Sequence, residues 1–252
     1  MKKALLIATS ALLLSLLFVS AAPAGNMLNP VLIPDQLSVG LGPEYDFTYR
    51  PLRLEDDGKI QFMANRILLD VTFNPTSFFG LRLKGGAGDM VFSDPKLDKI
   101  SGLDYADLAK DNLDDYHTPF NFVGGGGLDF AFLKDPNKIV GLGMSVFGLY
   151  QMGSQDDIKV SLLEYGAALT FAVIRLGTVV PYAGFDYTGV SGSMKSTQGG
   201  QNDFTMDITN DLDSPVGVFA GLNVVLGDNL RFGLEGRFLN ELSGGVNLMY
   251  QF

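Results

Sequence analysis

His117 is the only histidine of the chain and follows Asp114-Asp115-Tyr116. An imidazole beside carboxylates suits general acid–base hydrolysis, and Ser101 upstream would supply a nucleophile. A working pair would also need acids facing it, for which Asp203, Asp207, Asp211 and Asp213 qualify by location alone. Asp94 to Asp115 holds seven aspartates and three lysines. Clustered carboxylate oxygens suit a hard divalent cation, yet the spacing matches no calcium loop, and a solvated acidic loop satisfies the same residues. These segments therefore yield no catalytic, metal or cofactor assignment. A third group is scattered more widely: Glu44, Asp46, Arg50, Arg66, Asp70, Arg82, Lys84, Asp129, Glu164, Asp186, Arg231, Glu235 and Arg237. What these seven acids and six bases do depends on the elements that hold them.

Composition narrows those elements. The 252 residues include no cysteine, which removes disulfides, thiol nucleophiles, iron–sulfur clusters and cysteine-ligated zinc together. A formal charge of -10 without a Lys/Arg cluster excludes a nucleic-acid binder, because phosphate neutralisation needs concentrated positive charge. Glycine, at 31 residues, disfavours helix interiors, and 46% hydrophobic content asks for an apolar environment. Strands and turns are the expectation.

Residues 1–24 read as an export signal. Lys2 and Lys3 precede an apolar run from Ala4 to Val19, and Ala22 and Ala24 form a small-x-small site. Cleavage after Ala24 would leave Gly25–Phe252; an uncleaved anchor is the alternative, with a run that is marginal for a bilayer span. No cysteine at the cleavage point excludes lipoprotein attachment.

From residue 25 onward the chain alternates with period two. Leu37, Val39, Leu41, Tyr45, Phe47 and Tyr49 share one face, while Ser38, Gly40, Gly42, Glu44, Asp46, Thr48 and Arg50 share the other. About ten such segments follow one another. The second, near Lys59 to Phe73, is interrupted by consecutive Ile67, Leu68 and Leu69, which a bulge would explain. A soluble sandwich keeps its polar face rich in Lys, Glu and Thr; here that face is glycine, alanine and the thirteen charges, as suits a confined lumen. The connections alternate short with longer, Asp94–Thr118 and Ser191–Ser214 being longest, and Phe204, Met206 and Ile208 alternate within the latter. The expected fold is an all-β, closed, antiparallel up-and-down transmembrane barrel of about ten strands (8–12), occupying 25–252, with short turns and termini in the periplasm.

The ending Val246-Asn-Leu-Met-Tyr-Gln-Phe252 resembles the C-terminal strand of bacterial outer-membrane β-barrel proteins, of the small opacity and outer-membrane-protein-A type. The resemblance implies a bacterial outer-membrane location, lipid as surroundings, and recognition of Tyr250 and Phe252 by the barrel-assembly machinery. Gly25-Asn26, Pro30, Leu32-Ile33, Asp35, Tyr45-Asp46-Phe47 and Arg50 are faintly similar to the mature start of chlamydial-type major outer-membrane porins, which are larger and cysteine-rich.

Within that family, barrel proteases pair His with Asp and barrel phospholipases pair Ser with His, so His117 keeps a hydrolase reading beside that of a solvated loop histidine. The lumen charges also have two readings: a charge-lined conductive pore, or interlocked pairs that fill a narrow barrel. The 19 Phe and 9 Tyr, without Trp, fit a lipid face with interfacial girdles. The expected role is structural or surface-interacting and non-enzymatic, with a narrow or filled lumen, or else a small-solute pore; the outer loops name no ligand.

Overall fold

The computed structural model describes residues 29–34, 37–54, 58–96, 116–133, 139–174, 178–196, 204–210 and 215–252. The expected signal segment lies outside them. Eleven strands run antiparallel: β1 (Ser38–Leu54), β2 (Lys59–Thr76), β3 (Phe79–Lys96), β4 (Tyr116–Leu133), β5 (Val140–Gln155), β6 (Ile158–Val173), β7 (Val179–Ser196), β8 (Phe204–Asn210), β9 (Val216–Leu226), β10 (Leu230–Phe238) and β11 (Leu242–Gln251). Ten of them close a barrel, since β9 pairs with β7, β10 with β9, and β11 with both β10 and β1. Full closure leaves no strand edge unpaired.

The eleventh strand changes the strand count with height. β8 pairs with the last turn of β7 (Ser191–Ser196) and with the end of β1 (Leu52–Leu54). The shorter β9, β10 and β11 lie turn-ward of it, between β7 and β1. The wall therefore has ten strands at the end carrying the short turns and eight at the end carrying the long loops. The alternation of Phe204, Met206 and Ile208 belongs to β8.

Face assignment follows the period-two reading. Val39, Leu41, Tyr45, Leu83, Phe122, Phe171, Phe185 and Leu248 point outward and are exposed, while Glu44, Asp46, Arg66, Arg82, Glu164 and Arg237 point inward and are buried. Tyr45, Tyr49, Tyr150, Tyr165 and Tyr187, 39–49% exposed, gather toward the loop-side border of this apolar belt.

Loop-ward of these tyrosines the pattern inverts. Leu52, Leu54, Ile60, Phe62, Met90, Phe92, Val160, Leu162, Met194 and Ile208 point into the eight-stranded ring and form one buried apolar cluster. Arg53, Lys159 and Lys195 stand on the outside of the same strands. The upper storey is packed like a water-soluble barrel, the lower one like a barrel in hydrocarbon.

Three expectations are corrected. No bulge occurs at Ile67–Leu69: the β1–β2 register is unbroken from Ser38–Asn74 to Arg53–Lys59, and Leu68 simply turns inward. β4 begins at Tyr116, so His117 lies in a strand, not a loop. The β5–β6 connection shrinks to Asp156-Asp157, Asp156 having φ +52°, so connection length alternates less regularly than expected.

Candidate functional site: the barrel interior

The thirteen ionisable residues read as inward-facing are carried inward by seven strands and meet in the middle of the lumen, except Arg231. Arg50 on β1 donates to Glu164 on β6 at 2.7 Å, although these strands stand five apart in a ten-stranded ring, on opposite sides of the wall. Arg66 on β2 also pairs with Glu164, lies 3.6 Å from Asp46, and donates Nε to Gln151 at 2.8 Å. Glu241, immediately before β11, pairs with the same Arg50 Nη2.

Two further groups fill the remaining sectors. Lys84 holds Glu44 at 2.5 Å and lies 3.9 Å from Asp70, while Arg82 holds Asp129 at 2.6 Å, where the Ser145 hydroxyl also donates. Arg237 bridges Asp186 at 3.1 Å and Glu235 at 3.0 Å, and its guanidinium lies 5.5 Å from the ring centroids of both Phe147 and Phe219. Tyr182 donates to Glu235 and Thr188 to Asp186. Charges this deeply buried persist when they are paired; the interlocking gives each of these carboxylates a cation within 4 Å, although neither Asp70 oxygen accepts a hydrogen bond. The cavity left between Asp46, Arg50, Arg66, Glu164, Arg237 and Glu241 measures about 40 Å³, room for one or two waters.

The turn-side mouth is filled by the segment that precedes β1. Asn29 caps a single 3-10 turn, Pro30–Leu32, by accepting from the Val31 N–H at 3.1 Å. Val31 is buried against Ala168, Ala172, Val180, Tyr182 and Phe219. Gly141 and Gly143 on β5 make this possible, since a Cβ on either would meet Val31 Cγ1 at 2.1 Å or Pro30 Cγ at 2.7 Å. Arg231 donates to the Leu32 carbonyl, so this charge fastens the plug and stays out of the central network.

Along its axis the lumen holds, among the described residues, an apolar plug, then ion pairs reaching across it, then an apolar core. Three contributors were missed in the sequence. Glu241 stands between the last two alternating segments, although it shares the inward face of Ser243, Gly245 and Asn247. The Pro30–Leu32 plug carries no periodic signal. Asp89 sits where the β3–β4 register shifts and accepts from the Asn65 N–H at 2.7 Å.

That aspartate bears on the hydrolase reading. His117 Nε2 lies 3.5 Å from Asp89 Oδ2, but on the outside of the wall, with the imidazole 56% exposed. Asp207, also outward, belongs to β8. Ser101, Asp114, Asp115, Asp203, Asp211 and Asp213 lie outside the described residues, as does most of Asp94–Asp115. Among the described residues no cluster of three metal-ligating side chains occurs.

Tyr250 and Phe252 point outward and pack edge to face, ring centroids 4.9 Å apart, and the Phe252 N–H donates to Val39 at 2.9 Å where the ring closes.

No family model matches the chain, and no curated protein matches it. Among solved structures it is similar to the outer membrane protease OmpT from Escherichia coli, at 11% identity over 87% of this chain and 97% of that one, with a TM-score of 0.47. It is also similar to the translocator domain of autotransporter NalP from Neisseria meningitidis (10%, 100% and 98%, 0.39) and to the Ralstonia pickettii toluene transporter TbuX (9%, 92% and 96%, 0.39). At such overlap no activity transfers from any of them, and function is read from this chain's own residues.

Proposed function

We propose that the chain is an integral outer-membrane β-barrel whose sealed lumen conducts no solute, serving as a structural or surface-interacting protein without enzymatic activity. The apolar outer belt bordered by tyrosines supports membrane integration, because hydrocarbon accepts only a wall whose backbone groups are all paired. Short turns and plug would face the periplasm, and the eight-stranded storey would stand in the outer headgroups and above them. One observation carries the sealed lumen: Arg50 and Arg66 reach across the ring to Glu164 between two apolar fillings. Outer-membrane lipid would surround the belt, and the assembly machinery would read Tyr250 and Phe252.

The test is planar-bilayer recording of the refolded full chain. The expected result is baseline current at all salt concentrations and voltages tested; discrete, reproducible conductance steps would refute the sealed lumen and favour a small-solute pore.

A further inference from the structure

Lys159 on β6 and Lys195 on β7 face each other directly across the strand pair, both exposed on the outer surface of the upper storey. Ser154 stands opposite Lys159 on β5. One step turn-ward, the hydroxyls of Ser161 and Ser193 lie 3.4 Å apart. With Tyr150 below, these groups line a recess of about 400 Å³. Like charges directly opposed on a sheet face destabilise it. The acids facing the recess do not remove the problem: Asp207 stands opposite Ser193, and Asp156 and Asp157 form the adjoining turn, yet among the described residues neither lysine makes a salt bridge. In a chain of net charge -10, two ammoniums converging on hydroxyl donors are the signature of an anion site.

We propose that this recess binds the phosphate of an anionic lipid headgroup in the surrounding leaflet, a reading that rests on the membrane integration proposed above. Placement selects a lipid over a soluble anion. The lysines stand loop-ward of Tyr150 and Tyr165, two residue pairs beyond the row of Met152 and one outward row past Ser161 and Ser193, where the proposed membrane integration would put the headgroups. Met152 and Leu163, each 44% exposed, continue the same outer face toward the belt, where acyl chains would run. A phosphate between Lys159 and Lys195 turns their repulsion into two charge-assisted contacts, and the three serine hydroxyls donate to its remaining oxygens.

The experiment refolds the full chain into vesicles of phosphatidylcholine alone or with increasing phosphatidic acid, reading the thermal midpoint and, after detergent extraction, the retained lipid by native mass spectrometry. The wild type should be stabilised by phosphatidic acid and retain it. K159Q/K195Q should be at least as stable as the wild type in phosphatidylcholine, since the opposed charges are gone, but bind phosphatidic acid about thirtyfold more weakly, the effect of two lysines beside an anionic surface. K159R/K195R, which keeps both charges, should behave as wild type. An undiminished response in K159Q/K195Q overturns the site, as does equal stabilisation of the wild type by inorganic phosphate in phosphatidylcholine vesicles. A wild type that inserts without preferring phosphatidic acid overturns this proposal alone; failure to insert into any vesicle overturns the membrane reading with it.

Discussion

Arg237→Met removes the one cation that stands between Asp186 and Glu235, and a thioether side chain of similar reach keeps most of the packing against Phe147 and Phe219. Two contacts near 3 Å are each worth about 5 kcal/mol of Coulomb attraction at an effective dielectric constant of about 20, before desolvation is subtracted. Removing one partner of a buried pair costs about 3–5 kcal/mol, because the charge left behind keeps its desolvation penalty without its compensation. Here two carboxylates are left, so the expected loss is at the upper end, about 5 kcal/mol. The triple variant D186N/E235Q/R237M removes the charges but keeps neutral acceptors for Thr188 and Tyr182, and should recover most of it. With no tryptophan in the chain, unfolding of the liposome-embedded protein in urea is best followed by circular dichroism, with heat-modifiable gel mobility as a second reading. Arg237→Met within about 1 kcal/mol of wild type would refute the claim that this cation holds the sector together; a triple variant no better than the single one would show that shape, not charge, decides.

The plug and the closing strand can each be tested more briefly. Val31→Asp places a carboxylate among Ala168, Ala172, Val180, Tyr182 and Phe219, at a cost of about 2 kcal/mol or more, and should make the N-terminal segment protease-sensitive while the bilayer current stays at baseline. Current appearing in Val31→Asp would mean that the plug alone seals the lumen. Deleting Phe252 removes the edge-to-face partner of Tyr250 and the hydrogen bond to Val39 at the seam, and should lower the yield and rate of membrane assembly in cells with little effect on the unfolding of protein already assembled. Assembly at the wild-type rate would separate these aromatics from the assembly signal.

Much of the lower storey was legible because one rule governs it. An apolar outer face and a crowded polar interior force alternation, so Tyr45 against Glu44, Phe171 against Thr170 and Leu248 against Asn247 each declare their side in the sequence. Arg231 shows where that rule stops: its side was readable, but its partner, the Leu32 carbonyl, belongs to an aperiodic segment whose docking depends on space left by Gly141 and Gly143.

The apparent fault at Ile67-Leu68-Leu69 is the more instructive case. Apolar residues occupy even positions at Ile60, Phe62 and Ala64 and odd positions at Ile67, Leu69, Val71 and Phe73, which reads as a slipped register. The register does not slip. Even positions face the interior throughout β2, and what changes is the polarity of each side: an apolar core inside near Phe62, but ion pairs inside and exposed apolar side chains outside near Asp70. The same parity change separates Leu52 from Tyr49 on β1, Phe92 from Leu83 on β3, and Leu162 from Tyr165 on β6. A bulge would shift one strand against its neighbours, whereas a change of surroundings shifts the apolar parity of many strands at one height. Coincident parity changes across non-adjacent segments are therefore a sequence signal for the border of an apolar outer belt, and here they fall near Tyr49, Tyr150 and Tyr165, turn-ward of the Lys159–Lys195 pair.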